Sequence, residues 1–138
     1  MHPYQFLPHT ADVRMYVEAE QLTELFKHAT QGMSAYLYGD EKRPTGAFDY
    51  ERIIECQSTD LTGLLVDFLN DVLSLSQIDY VLFEDVKIEL SKEHMVSAHL
   101  FGRKVEGFAE DIKAVTYHEA EVKQTKEKNW QAKVIFDI

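Results

Sequence analysis

Leu61, Leu64, Leu65, Phe68, Leu69, Val72 and Leu75 recur at steps of three and four residues, the spacing that collects side chains on one face of an α-helix. No other stretch limits the fold as strongly, because a helix with one apolar face is stable in water only when that face is covered. Thr59 or Asp60 stands where an N-cap belongs, and Gly63 is a tolerated weakness close to the helix start. A second stripe (Leu22, Leu25, Phe26, Ala29, Met33, Tyr36 and Leu37) has the same period and stops before Gly39, a residue suited to a helix C-cap. Lys27, His28 and Gln31 lie off that stripe, so His28 reads as solvated surface.

Elsewhere the apolar period drops to two. Val13, Met15 and Val17 alternate with Arg14, Tyr16 and Glu18 in the earliest strand the pattern predicts, after a short apolar approach ending at Pro8. Val86, Ile88 and Leu90, then Val96, Ala98 and Leu100, predict a hairpin that turns through Ser91, Lys92, Glu93 and His94. Residues 48–58 and 115–122 have strand-like content, the first with loose alternation. Trp130, Ala132, Val134, Phe136 and Ile138 give the last strand one apolar face. Residues 40–47, 103–106 and 124–129 read as a charged loop, an irregular stretch and a charged turn. The order predicts an α+β fold with one domain over residues 1–138. Two amphipathic helices would pack on a mostly antiparallel or mixed β-sheet.

Charge narrows the function classes. The chain has 138 residues, is 45% hydrophobic and carries a net charge of −10, which suits one folded domain that is repelled by phosphate backbones. Direct nucleic-acid binding is therefore not expected, whereas a basic protein partner or a cation is compatible. Cys56 is the only cysteine, which excludes an internal disulfide and a cysteine zinc set and suits a reducing, cytoplasmic setting. His94 reads as a turn residue and His99 as one on the open face of a strand. Neither has a second nitrogen ligand at a useful spacing, so no histidine metal site is assigned. The start of the chain lacks a signal-peptide pattern, and no apolar stretch reads as a membrane span.

The chemistry is concentrated near the two ends. His9-Thr10-Ala11-Asp12 sets an imidazole, a hydroxyl and a carboxylate at the mouth of a strand; taken alone, these are groups a turn uses to satisfy its own amides. Late in the chain come Asp111-Ile112-Lys113-Ala114-Val115-Thr116-Tyr117-His118 and the closing Val134-Ile135-Phe136-Asp137-Ile138. Asp137 and the α-carboxylate of Ile138 would offer two anionic donors side by side. If Asp12 lies beside them, three carboxylates converge, a set that repels itself unless a cation enters and that hard divalent ions favour. If the ends do not meet, Asp137 is a frayed terminal acid. Asp67 and Asp71, one helical turn apart, are also spaced to hold a cation but read more simply as a solvated acidic face.

Taken in chain order, His9-Thr10-Ala11-Asp12, Lys113-Ala114-Val115-Thr116-Tyr117 and Asp137-Ile138 resemble the archease family. Leu64-Leu65-Val66-Asp67-Phe68-Leu69-Asn70 resembles that family's middle helix, so the resemblance spans nearly the whole chain. Each block is unspecific alone, and the ordered set is specific. The resemblance implies first and last strands that are adjacent, and a non-enzymatic protein that activates an RtcB-type RNA ligase in tRNA splicing or RNA repair. It implies that the ligase's guanylylation and multiple turnover are promoted. It also implies a metal site on Asp12, Asp137 and the terminal carboxylate of Ile138, with calcium as the first expectation and magnesium or manganese as alternatives.

Lys113 is then either a lysine opening a strand or an ammonium that balances the carboxylates or reaches a nucleotide phosphate in the ligase. His9 either orders the cluster or fills a buried turn. Pro8 stands where relatives often carry an acid, and Glu20-Gln21 replaces their Gly-Ser/Thr helix start; neither departure removes a ligand. Two other readings use the same residues. One is a metal-dependent hydrolase, for which no nucleophile motif or Gly-rich phosphate loop is present. The other is a chaperone-like modulator of another RNA-modifying enzyme, such as a tRNA methyltransferase.

Overall fold

The computed structural model describes residues 3–8, 12–39 and 43–138, with Leu7 and Pro8 described by their backbone. In chain order the elements are β1 (Tyr4–Pro8), β2 (Asp12–Ala19), α1 (Leu22–Tyr38), β3 (Tyr50–Gln57), α2 (Leu61–Asp79), β4 (Val81–Ser91), β5 (Met95–Lys104), β6 (Ala114–Gln124) and β7 (Trp130–Asp137). They form two sheets, ordered β1-β2-β7-β6 and β3-β5-β4, and every pairing is antiparallel. The strand predicted from Val13, Met15 and Val17 is β2, which pairs with the final strand β7 along its whole length. The expected adjacency therefore holds, with one addition. The apolar approach is itself a strand, β1, on the outer edge beside β2; five residues are too few to display a period.

Alternation sets which side of each sheet is covered. Met15, Val17 and Ala19 of β2, Val96, Ala98 and Leu100 of β5, and Ala132, Val134 and Phe136 of β7 join the stripes of both helices in one core. Leu64, Leu65, Phe68, Leu69 and Val72 of α2 are fully buried, each contributing about 1.5–3 kcal/mol relative to exposure. By length and composition alone the 19-residue α2 is apolar enough to pass as a membrane span, contrary to the expectation from the sequence. Its apolar face is the core of this fold, however, and Asp71 on its other side is exposed.

Helix ends follow the local chemistry. The Gly63 N–H donates to the Asp60 carboxylate at 2.6 Å, so Asp60 is the N-cap of α2. Gly39 has φ +74 and its N–H donates to the carbonyls of Ala35 and Tyr36, closing α1. Gln21 stands at the start of α1 without a side-chain cap. His28 is not merely solvated: its Nδ1 lies 2.8 Å from the Glu18 carbonyl. Strand β5 continues through Lys104, so the predicted irregular stretch begins later. Gly102 lies within β5 opposite a bulge in β4, where a Cβ would come within 2.6 Å of the Leu82 carbonyl oxygen. Only glycine permits that approach.

Each sheet has one edge sealed by a helix. On β6, the Val115 N–H donates to Asn70 Oδ1 at 2.9 Å and the Val115 carbonyl accepts from Asn70 Nδ2 at 2.8 Å. Nearby on the same edge, the Val122 N–H donates to Thr62 Oγ1 at 3.1 Å. On β4, Ser34 Oγ donates to the Phe83 carbonyl at 2.6 Å and Gln31 Nε2 to the Glu84 carbonyl at 3.0 Å. These side chains do what a further strand would otherwise do. Asn70→Ala should leave two partly buried backbone groups of Val115 without partners and cost about 2 kcal/mol. The urea midpoint should fall and amide exchange at Val115 should quicken. An unchanged midpoint would mean that packing alone holds this edge.

Candidate functional site

Antiparallel register places Asp12 of β2 directly opposite Asp137 of β7, and Ala114 of β6 opposite Asp137 from the other side. Cross-strand partners share a face, and Asp12 alternates with the core-facing side of β2. The Lys113 N–H donates to the Asp137 carbonyl at 2.7 Å, which brings Lys113 beside the row. Its position is anchored by Ile112, fully buried, whose carbonyl accepts from Gln77 Nε2 at 2.7 Å. Ile138 follows Asp137 and is 37% exposed. Asp12, Asp137, Ile138 and Lys113 thus meet at one end of the first sheet. His9, with Thr10 and Ala11, lies outside the described residues.

The electrostatics of that row are specific. Directly opposed residues on antiparallel strands have Cβ atoms roughly 4.5–5.5 Å apart, and like charges there destabilise the sheet. A hard divalent cation held between the carboxylates relieves the repulsion. The donors are all oxygen, which suits calcium, magnesium or manganese better than zinc. Among the described residues no group of three His, Cys, Asp or Glu side chains is gathered as a metal cage. A cation held between Asp12 and Asp137 would therefore have two anionic side-chain ligands, and further oxygens would have to come from main chain, chain end or solvent.

Arg14, on the same face of β2 as Asp12, pairs with Glu119 at 2.8 Å. Glu119 has φ +54 and sits where the β6–β7 register shifts between Thr116 and Glu121. The Arg14 guanidinium is the main reason its carboxyl is held below the ordinary value of 4.5. Sequence reasoning missed this pair, because a lone arginine and a lone glutamate in strands carry no periodic mark. It also expected one apolar face on the last strand. Ile135, on the other face between Arg14 and Thr116, is nevertheless 1% exposed.

The second pair of acids lies on α2 and is not simply solvated. Asp67 accepts from the Tyr117 hydroxyl, which is the main cause of that phenol's raised pKa. Asp71 is engaged with the Cys56 thiol. Burial first, then the charges of Asp71 and Asp67, push that thiol up to about 11. A nucleophilic cysteine carries the opposite shift. His99 lies on the open face of β5 as expected, stacked on Phe101 and 3.0 Å from Glu51.

Two pH-dependent outcomes are expected. Alkylation of Cys56 by iodoacetamide should stay slow at mildly alkaline pH and accelerate only towards about 11, with Asp71→Asn moving the rise to lower pH; a thiol titrating normally in the folded chain contradicts this. Because the Glu119 carboxyl is depressed on folding, its contribution is complete above 4.5 and is lost as pH falls through the lower folded value. Amide protection across residues 117–120 should fade in that window and become insensitive to it in Glu119→Gln. Equal acid sensitivity in the two proteins would exclude the Arg14 pairing as the cause.

The sequence matches the Archease protein family over residues 4–138. Protein archease of Methanosarcina barkeri is 33% identical over 143 aligned positions, which cover 98% of this chain and 95% of that one. The solution structure of protein 1598 from Methanobacterium thermoautotrophicum aligns with a TM-score of 0.81 at 24% identity over 100% of both chains. The crystal structure of an archease from Thermotoga maritima, described as a possible chaperone, aligns with a TM-score of 0.64 at 20% identity, covering 100% of this chain and 99% of that one. At those identities the two structures speak for the fold alone.

Proposed function

This chain belongs to the archease family, and we propose that it is a non-enzymatic accessory protein that activates an RtcB-type RNA ligase. It would promote guanylylation and multiple turnover of that ligase in tRNA splicing or RNA repair, in the cytoplasm. The observation that supports this reading most is the direct pairing of Asp12 with Asp137, with Lys113 alongside. Three blocks distant in sequence, all inside the region shared with the family, contribute to one small surface.

In this reading Asp12, Asp137 and the terminal carboxylate of Ile138 hold a divalent ion, calcium first, with magnesium or manganese as alternatives. When bound, the ion supplies positive charge and open coordination positions for groups of the partner. Lys113 is exposed, and its ammonium is accessible to a phosphate or carboxylate in the ligase. A net charge of −10 favours a protein contact over direct contact with RNA. The description of the Thermotoga maritima protein as a possible chaperone favours a second reading, a chaperone-like modulator of another RNA-modifying enzyme such as a tRNA methyltransferase.

Calorimetric titration with calcium should show affinity reduced by roughly a hundredfold or more in Asp12→Ala and in Asp137→Ala, each of which removes one anionic ligand. Thermal melts should stay close to that of the parent protein, since losing one carboxylate also relieves cross-strand repulsion. The parent protein should stimulate guanylylation of a purified RtcB-type ligase, and both variants should fail to do so. A C-terminal tag should weaken stimulation and an N-terminal tag should be tolerated. Unchanged calcium affinity in both variants would remove the metal from the model of activation. Copurification with a methyltransferase, without any effect on the ligase, would favour the second reading.

A further inference from the structure

Helix side chains seal the open sides of β6 and β4, and β1 is only five residues long. β3 is different. It has eight residues and pairs with β5 alone. Among the described residues no side chain hydrogen-bonds its backbone, so its outer row of N–H and C=O groups is open. Such an edge is a template for another strand unless charge or cover protects it. Here the protection is partial: Glu51, Arg52 and Glu55 are charged, but Ile53 between them is 67% exposed.

The surroundings of β3 narrow what could pair there. Glu51, Ile53 and Glu55 share the open face of the sheet, pairing with Phe101, His99 and Ser97 of β5. Beside β3, towards α2, lies a shallow, open depression of about 380 Å³ lined by Ile54, Glu55, Asp71, Ser74 and Leu75. A strand added to β3 would alternate its side chains. One set would lie along Glu51, Ile53 and Glu55; the other would turn towards Ile54, Leu75 and Asp71. The first track is acidic around Ile53; the second is largely aliphatic, and the Arg52 on it is paired with Asp79 at 3.7 Å. Among the described residues Glu55 forms no ion pair, and Asp71 lies against the Cys56 thiol.

We propose that β3 is a docking strand for an extended segment of a partner protein in which lysine or arginine alternates with aliphatic residues. Backbone pairing supplies the attachment, Glu51 and Glu55 select the basic side chains along the open face, and Ile54 and Leu75 take the aliphatic ones on the side towards α2. A second copy of this chain is disfavoured. Each copy carries −10, and a pairing centred on Ile53 sets Glu51 against Glu55 of the other copy, like charges directly opposite. The docking strand belongs to the second sheet, whereas Asp12 and Asp137 belong to the first. Its test is therefore independent of the ligase reading.

Titration of the isotope-labelled protein with a blocked peptide alternating lysine and valine, as long as β3, tests the proposal by NMR. Shift changes and slowed amide exchange should be confined to residues 50–57 and 71–75, should weaken with added salt, and should be absent with a glutamate–valine peptide. Glu51 and Glu55 are both exposed, so the double variant Glu51→Lys/Glu55→Lys should keep its spectrum elsewhere while binding the basic peptide about tenfold more weakly. The proposal is overturned if the peptide perturbs β1 or nothing at all, or if the reversed variant binds equally. It is equally overturned if the acidic peptide binds as well, or if sedimentation shows the parent protein dimerising through β3.

Discussion

A sheet edge that is covered by other structure must still have its backbone groups hydrogen-bonded, and this chain meets that demand with helix side chains. Asn70 is the clearest case, offering Val115 both a donor and an acceptor as a neighbouring strand would. Gln77, two turns further along α2, holds the Ile112 carbonyl, and Ile112 is the buried residue that precedes Lys113. The same helix that closes the edge therefore sets where β6 begins. That fixes Lys113 against Asp137. Across the molecule, α1 does the equivalent for β4 through Ser34 and Gln31, so each helix packs on one sheet while stitching an edge. Core burial makes the helices stay; these few polar contacts determine the register in which they stay.

The acidic row depends on this arrangement. Asp12 and Asp137 sit opposite one another at the end of their strands, while β2 and β7 go on pairing from Val13–Phe136 to Ala19–Trp130. Like charges directly opposite disfavour a pairing, and the long run of partners beyond them holds the register. Arg14 and Glu119 form a neutral pair on the same outer face, and they hold a stretch of β6 whose register is already broken.

The reach of sequence reasoning can be followed element by element. Both helices were legible because their stripes run for several turns and end at residues with cap chemistry, Asp60 and Gly39. The hairpin of β4 and β5 and the last strand were legible from alternation. β1 was not, since a five-residue strand ending at a proline looks like an approach to something else. Ile135 broke the alternation rule because its outer face is covered, and no local pattern reports what lies on top of a sheet. His28 and Asp71 looked solvated for the same reason: each is engaged by a residue far away in sequence, Glu18 and Cys56. The site was legible only as separate pieces, Asp12, Lys113 and Asp137, whose convergence was implied by the family resemblance and not by their spacing.

The sequence alone determined the local periods, the caps and the kinds of donor atoms available, because these depend on neighbours within a few residues. It also determined the acidic balance and the absence of a second cysteine. Tertiary structure decided the rest: that there are two sheets and not one, that α2 seals β6 and α1 seals β4, and that β3 is left open. It also decided that Asp12 faces Asp137. Those outcomes turn on strand register and on which edge a helix covers, and register is set by the sum of many weak contacts between distant residues. A shift of one residue would turn every side chain on a strand to the opposite face, yet leave each local pattern in the sequence unchanged.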